Sequence, residues 1–158
     1  MVTSAGGPAA IGVIKSLNNY DRLGTSHKII ATDITEDSVG LRLADSKYIV
    51  PKSTDEDFIP TIRKIIEKEK VDVLLPTGNM EIDKFESLSD ITNVFMSNSD
   101  TIKLCNDKWE FYKKVKDDFD LPKTWSNENM NFKNSIARPR YELGGSRGVF
   151  HCEDVHQY

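Results

Sequence analysis

The chain has 158 residues and a formal net charge of −4 at pH 7, with 38% hydrophobic and 29% charged residues. This composition is typical of a soluble globular protein, and the acidic balance argues against a general nucleic-acid binder, which needs a basic surface. No apolar run is long enough to cross a bilayer, and no basic or apolar leader opens the sequence. Cys105 and Cys152 match no zinc or redox spacing, so we expect free thiols, no metal site and a cytoplasmic protein.

The first hundred residues alternate short apolar runs with amphipathic segments, which predicts a parallel sheet with crossover helices. Val2 and Thr3 end a short strand, and residues 4–7 turn into a helix whose first position suits Pro8. We expect Gly12, inside that helix, to permit close packing against a strand. Further strands are predicted at 28–33, 48–51, 71–76 and 94–96, with helical segments near 38–44, 58–70 and 81–88.

Polar residues follow several of these predicted strands. Parallel sheets bind ligands beyond the carboxyl ends of their strands, where residues 4–7, Asp33 and residues 77–81 are expected to project. The first loop lacks the dinucleotide fingerprint because Pro8 and Ile11 occupy glycine positions, although it could still hold a carboxylate or phosphate at the helix N-terminus. For Asp33, a cap on the following turn is favoured over a contact to a ribose.

Beyond residue 100 the pattern predicts one amphipathic helix and one hairpin. The helix is expected to bury an apolar face made of Phe111, Tyr112, Val115 and Phe119. Residues 136–150 read as strand, glycine-rich turn and strand. Glycines let backbone N–H groups approach an anion and arginines add positive charge, so the turn is predicted to fold over phosphates; a solvated hairpin tip is the alternative. The residues concerned are Arg138, Arg140, Gly144, Gly145, Ser146, Arg147 and Gly148.

This hairpin resembles the phosphate-covering loop of ATP-grasp enzymes, especially of carbamoyl-phosphate synthase large subunits. In those subunits an Arg-Pro closes one strand and a Gly-Gly-Ser turn opens the next, whereas most other ATP-grasp proteins carry Lys-Pro. Arg138 therefore favours the carbamoyl-phosphate synthase side. Residues 99–108 resemble the linker whose Asp-Lys or Asp-Arg begins the ATP-grasp domain. The resemblance implies that ATP phosphates are bound by Lys108, Arg138, Gly144, Gly145, Ser146 and Gly148.

Earlier segments resemble the Rossmann-like domain that precedes an ATP-grasp fold. These segments are residues 2–7, 31–33, 43–45, 55–58 and 75–77. In that family the domain does not bind the nucleotide and contributes to the substrate side of the active site. The resemblance therefore assigns Ser4, Ala5, Gly6, Gly7 and Thr77 to the acceptor substrate. Relatives usually carry an acidic pair directly after Leu-Pro-Thr, whereas here the acid comes later, at Glu81.

Taken over the whole chain, the resemblance implies an α/β fold. A Rossmann-like parallel sheet (pre-ATP-grasp) over residues 1–100 is followed by an incomplete α+β ATP-grasp subdomain over residues 101–158. The implied enzyme is a ligase that activates a carboxylate or bicarbonate as an acyl phosphate with MgATP, for attack by an amine or ammonia. No catalytic residue is assigned, because the Mg²⁺ ligands and the adenine site belong to a second half of the family's fold.

We therefore expect the chain to be a fragment, a split product or a degraded copy of such an enzyme. Its partners are then small-molecule substrates, and a separate C-terminal ATP-grasp half or a second copy of the chain. Neither nucleic acid nor a membrane is expected as a partner. The alternative is a non-catalytic module that binds a ligand or takes part in assembly.

Overall fold

A computed structural model of the chain describes residues 1–20, 27–126, 134–141 and 147–153. Two compact units divide the chain, residues 1–97 (unit 1) and residues 98–158 (unit 2). The helices of unit 1 are α1 (Pro8–Asn18) and α2 (Phe58–Glu69), with 3₁₀ helices at Val39–Leu43 and Ile82–Leu88. Its strands are β1 (Ile30–Asp33), β2 (Ser46–Ile49), β3 (Val73–Leu74) and β4 (Asn93–Val94).

The strands of unit 1 are all parallel, as the alternation of apolar and amphipathic segments predicts. Strand β1 pairs with β2, and β3 pairs with β4. Val2 lies between the two pairs, because it bridges Ala31 on one side and Leu75 on the other, both in parallel. Its N–H donates to the Ile30 oxygen at 2.8 Å, and its own oxygen accepts from the Thr32 N–H at 3.0 Å. The α/β prediction is confirmed, with shorter strands than the apolar runs indicate.

Helices cover both faces of this sheet. On one face, Ala10 and Ile14 of α1 pack with Val2 and Ala31. On the other, α2 packs a row of buried residues against Ile30; the row is Phe58, Ile62, Ile65 and Ile66. Ile30 and Ala31 are consecutive and contact opposite clusters because side chains alternate along a strand. Each face of the sheet is therefore covered by the apolar side of one helix, α1 on one face and α2 on the other.

Close backbone packing in unit 1 occurs at Gly40, and the expectation for Gly12 is wrong. Gly12 lies on the exposed side of α1, where an added Cβ would meet nothing within 4 Å. At Gly40 an added Cβ would overlap the Ala5 carbonyl oxygen, which accepts the Gly40 N–H at 3.0 Å. The close approach needs glycine in the 3₁₀ helix, and not in α1.

Unit 2 contains α3 (Ser99–Asn106), α4 (Lys108–Val115), β5 (Ser135–Ala137) and β6 (Phe150–Cys152). Strands β5 and β6 pair in antiparallel fashion with Ile136 opposite His151, so the two predicted hairpin strands are confirmed. The predicted apolar face of α4 is wrong. No residue of α4 is buried, and the Phe111 and Phe119 side chains are 41% and 64% exposed. The described part of unit 2 offers this face little to pack on, since Ile102 and Cys152 are its buried apolar residues.

Within the described ranges, none of the helices combines the length and the apolar character needed to span a bilayer.

Two glycine substitutions test the packing of unit 1. Gly12→Ala should raise the free energy of unfolding by about 0.5–1 kcal/mol, because alanine lowers the conformational entropy lost on folding and the site is open. Gly40→Ala should lower it by roughly 1–3 kcal/mol, because the new methyl group overlaps the backbone of Ala5. Urea denaturation of both variants measures the change in the free energy of unfolding. A Gly40→Ala variant that is more stable than the wild type would contradict the packing described for the 3₁₀ helix.

Candidate functional site

The loop of residues 4–7 is held from one side by Asp33, the last residue of β1. The Gly6 N–H donates to Asp33 Oδ2 at 2.6 Å, and the Thr35 N–H donates to Oδ1 at 3.1 Å. The prediction that Asp33 caps the following turn is confirmed, and the same carboxylate also fixes the loop. Burial opposes ionisation of Asp33, but hydrogen bonds from Gly6, Ser38 and Thr35 outweigh it and hold its pKa below the usual value.

Glu81 holds the loop from the other side. Only 6% of this residue is exposed, and its Oε1 accepts hydrogen bonds from the Thr3 hydroxyl and, at 2.9 Å, from the Ser4 hydroxyl. Burial raises the pKa of Glu81, the hydrogen bonds from Thr3 and Ser4 oppose this, and the negative charge of Asp33 adds to the rise. The sequence places Glu81 at the correct edge of the sheet but does not indicate its contacts with the loop.

Ser4 takes up an unusual backbone conformation between these two carboxylates. Its φ of 49° lies in the left-handed region, which costs a residue other than glycine about 1–3 kcal/mol unless its surroundings enforce it. The surroundings here are close, because an added Cβ at Gly78 would overlap Ser4 Oγ and lie 2.9 Å from Glu81 Oε1. Thr77, the other residue assigned to the substrate side, donates from Oγ1 to the Thr3 oxygen at 2.6 Å.

We call Thr3, Ser4, Asp33, Thr77 and Glu81 the carboxyl-edge cluster. The structure thus brings together the residues that the resemblance assigns to the substrate side, and adds Thr3, Asp33 and Glu81 to them. Thr32 lies next to it on β1, where its buried Oγ1 finds no hydrogen-bond partner among the residues that the structure describes.

The backbone amides of residues 5–7 in the loop are engaged within unit 1. The Ala5 N–H donates to the Thr32 oxygen at 3.0 Å, the Gly6 N–H to Asp33, and the Gly7 N–H to the Ser4 oxygen at 3.0 Å. These three N–H groups therefore do not support the expectation that the loop holds a carboxylate or phosphate, because each already donates to an oxygen of unit 1. With two carboxyl groups beside it, the cluster suits a hydroxyl or ammonium donor better than an anion.

The residues predicted to bind phosphates lie in unit 2. Lys108 is the first residue of α4, and Arg138 follows β5 with an exposed side chain. Gly148 has a φ of 74°, which favours glycine at that position. Gly144, Gly145 and Ser146 lie outside the described residues.

Arg140, which the sequence also places at the base of the glycine-rich turn, is paired with Asp107. Its Nε donates to Asp107 Oδ1 at 2.8 Å, and a terminal nitrogen donates to Oδ2 at 2.6 Å. These hydrogen bonds hold the pKa of Asp107 far below the usual value, and the same contact raises the pKa of Arg140. A bidentate pair of this kind fixes geometry as well as charge.

A metal site is not formed by the side chains described. In residues 1–20, 27–126, 134–141 and 147–153, no group of three or more His, Cys, Asp or Glu residues is placed to hold a metal ion.

Comparison with known proteins gives one family and one fold. Residues 3–98 match the family described as PylC-like, N-terminal domain. A solved structure titled glycinamide-RNase-transformylase T from Mycobacterium tuberculosis is similar with a TM-score of 0.54 and 15% sequence identity, over 77% of this chain and 35% of that chain. At this identity the likeness shows the fold alone, and the match spans about a third of that structure's length. No curated protein matches the chain.

Glu81→Gln tests the electrostatics of the carboxyl-edge cluster. Because the pKa of Glu81 is raised above 4.5, the folded chain holds this proton more tightly than the unfolded chain, and stability falls as pH rises through that range. Glutamine stays neutral and its Oε1 can still accept from Thr3 and Ser4. The variant should match the wild type in stability at pH 4 and be more stable than the wild type at pH 8.

Urea unfolding at pH 4, 6 and 8 provides the measurement. Glu86→Gln, at an exposed position of the 3₁₀ helix that directly follows Glu81, is the matched control and should follow the wild type. A Glu81→Gln variant that is less stable than the wild type at every pH would show that the ionised carboxylate stabilises the loop.

Proposed function

The chain belongs to the PylC-like family through its N-terminal domain, residues 3–98, and on that premise we propose that it forms the N-terminal portion of an ATP-grasp ligase. In this proposal residues 1–100 are the Rossmann-like domain before the ATP-grasp fold, and residues 101–158 are the first, incomplete part of the ATP-grasp domain. The whole enzyme activates a carboxylate or bicarbonate as an acyl phosphate, which an amine or ammonia then attacks.

The observation that carries the proposal is the family match over nearly all of unit 1. Directly after it in the chain come the Asp107-Lys108 pair and the Arg138 hairpin, which resemble the opening of an ATP-grasp domain. The paired strands β5 and β6 are consistent with that resemblance. The likeness to the transformylase structure supports the α/β fold of the proposal and nothing finer.

ATP is the cofactor of the proposed reaction, and it supplies the γ-phosphoryl group when bound with Mg²⁺. Lys108 suits the phosphates, because it adds a cation to the N-terminus of α4, where the helix dipole also favours an anion. Arg138 adds a second cation, and residues 144–148 would close over the phosphates. Charge neutralisation of this kind is the main contribution of a protein to phosphoryl transfer. The Mg²⁺ ligands are expected in the second half of the fold.

Ser4 to Gly7 and Thr77 face the acceptor substrate in this proposal. Because Asp33 and Glu81 accept hydrogen bonds and disfavour an approaching anion, the carboxyl-edge cluster is suited to a hydroxyl or ammonium group of that substrate and not to its carboxylate. Arg138 favours the branch of the superfamily that resembles carbamoyl-phosphate synthase, and the choice between bicarbonate and another carboxylate stays a prediction.

One observation favours a second function, an assembly module without catalysis. Unit 2 exposes several large apolar side chains, at fractions between 41% and 69%; they are Phe111, Phe119, Ile136, Tyr141, Val149 and Phe150. Such a surface suits contact with another protein, either a separate C-terminal ATP-grasp half or a second copy of the chain.

MgATP binding by the 158-residue chain at low ionic strength tests the proposed phosphate site. Arg138→Ala and Lys108→Ala should each weaken binding by roughly tenfold, the effect of losing one charged hydrogen bond. Lys114→Ala removes the same charge from an exposed position of α4 and should change the affinity by less than about twofold. Isothermal titration calorimetry gives the three affinities.

Equal losses in all three variants would indicate non-specific attraction to positive charge and would contradict the assigned site. A chain that binds no MgATP but associates with itself or with a C-terminal half would favour the assembly module.

A further inference from the structure

The carboxylate of Asp107 makes two kinds of contact. Its Oδ1 accepts the N–H groups of Trp109 and Glu110, both at 3.1 Å, and so caps the N-terminus of α4. Both of its oxygens also accept from Arg140, at 2.8 and 2.6 Å. The start of the helix and the segment that follows β5 are therefore held by one carboxylate, whose side chain is only 11% exposed.

The neighbouring backbone strengthens this contact. The Lys108 N–H donates to the Arg140 carbonyl oxygen at 3.1 Å, so consecutive residues of the helix start bind both the side chain and the backbone of Arg140. The guanidinium group also lies 3.3 Å from Glu110 Oε1 and 5.4 Å from the centre of the Tyr141 ring. Four groups thus restrict Arg140.

These contacts give the two arginines at the hairpin base different roles. The charge of Arg140 is directed at Asp107 and Glu110, which leaves it poorly suited to a phosphate. Arg138 has an exposed side chain, and none of the described residues forms an ion pair with it. Because two residues span at most about 7 Å, the contact of Arg140 with the Lys108 N–H keeps the backbone of Arg138 near the start of α4.

We propose that Asp107 and Arg140 are positioning residues, whose paired contact fixes the hairpin base on the start of α4 and so sets Lys108 and Arg138 to hold the same phosphate group. This inference rests on the proposed function. It assigns the binding contacts to Lys108 and Arg138, and the alignment of those contacts to the Asp107–Arg140 pair.

Asp107→Asn distinguishes positioning from direct binding by the sign of its effect. If Arg140 bound phosphate itself, Asp107 would compete with the phosphate, and removing its charge would strengthen binding. If the pair positions Lys108 and Arg138, the substitution weakens binding although it makes the chain less negative. Asparagine is as good a helix cap as aspartate, so α4 keeps its cap in this variant.

The experiment titrates the 158-residue chain with inorganic tripolyphosphate at fixed ionic strength. Asp107→Asn and Arg140→Lys should each weaken binding by roughly tenfold, and the second variant keeps the positive charge while losing the bidentate fork. Arg63→Lys is the matched control: Arg63 makes a similar pair with Asp90 in unit 1, at 3.0 and 3.1 Å, and its replacement should leave binding within about twofold.

A second readout separates positioning from loss of the fold. Amide exchange at Lys108 should accelerate in Asp107→Asn, because its acceptor on Arg140 is no longer held in place. The buried Cys152 thiol on β6 should stay protected from a thiol reagent, while exposed Cys105 reacts in every variant. If Cys152 becomes reactive in Asp107→Asn, that variant has lost its fold, and the binding of tripolyphosphate by Arg140→Lys alone tests the positioning role.

Binding that is unchanged or tighter in a folded variant would overturn the positioning role and leave the proposed phosphate site intact. A wild-type chain that does not bind tripolyphosphate would overturn the site itself, and the positioning role with it.

Discussion

The central position of Val2 is the constraint on which unit 1 depends. Val2 bridges Ala31 and Leu75 and so joins the two strand pairs into one parallel arrangement. The loop of residues 4–7 therefore lies at the edge of the sheet where the neighbouring strands end. Asp33 and Glu81 then reach the loop from opposite sides. The carboxyl-edge cluster is therefore a result of strand order, since polar residues from distant parts of the chain meet where parallel strands finish together.

Unit 2 is organised by a different kind of interaction. Its described residues bury little apolar surface, and the hairpin base is placed by hydrogen bonds between charged groups, chiefly Asp107 with Arg140. Such contacts are directional, so they can set the positions of Lys108 and Arg138 without a large core. They are also more sensitive to salt than apolar packing, because mobile ions screen partly exposed charges.

Local pattern was enough to predict the parallel strands, the start of α1 at Pro8 and the two hairpin strands, because periodicity and turn chemistry act over a few residues. It failed where the answer depends on distant neighbours. The spacing of apolar residues on α4 defines a face but not what covers it, and the requirement for glycine at position 40 comes from the Ala5 carbonyl. The contact of Glu81 with Thr3 crosses 78 residues, which no local motif reports.

The long reach of these contacts also sets an order for folding during synthesis. Thr3 is synthesised 74 residues before Thr77, whose hydroxyl donates a hydrogen bond to the Thr3 backbone oxygen. Contacts of such sequence separation form slowly, because the intervening chain must first be brought together. The segment around Val2 must therefore remain unpaired on one side until Leu75 has been made.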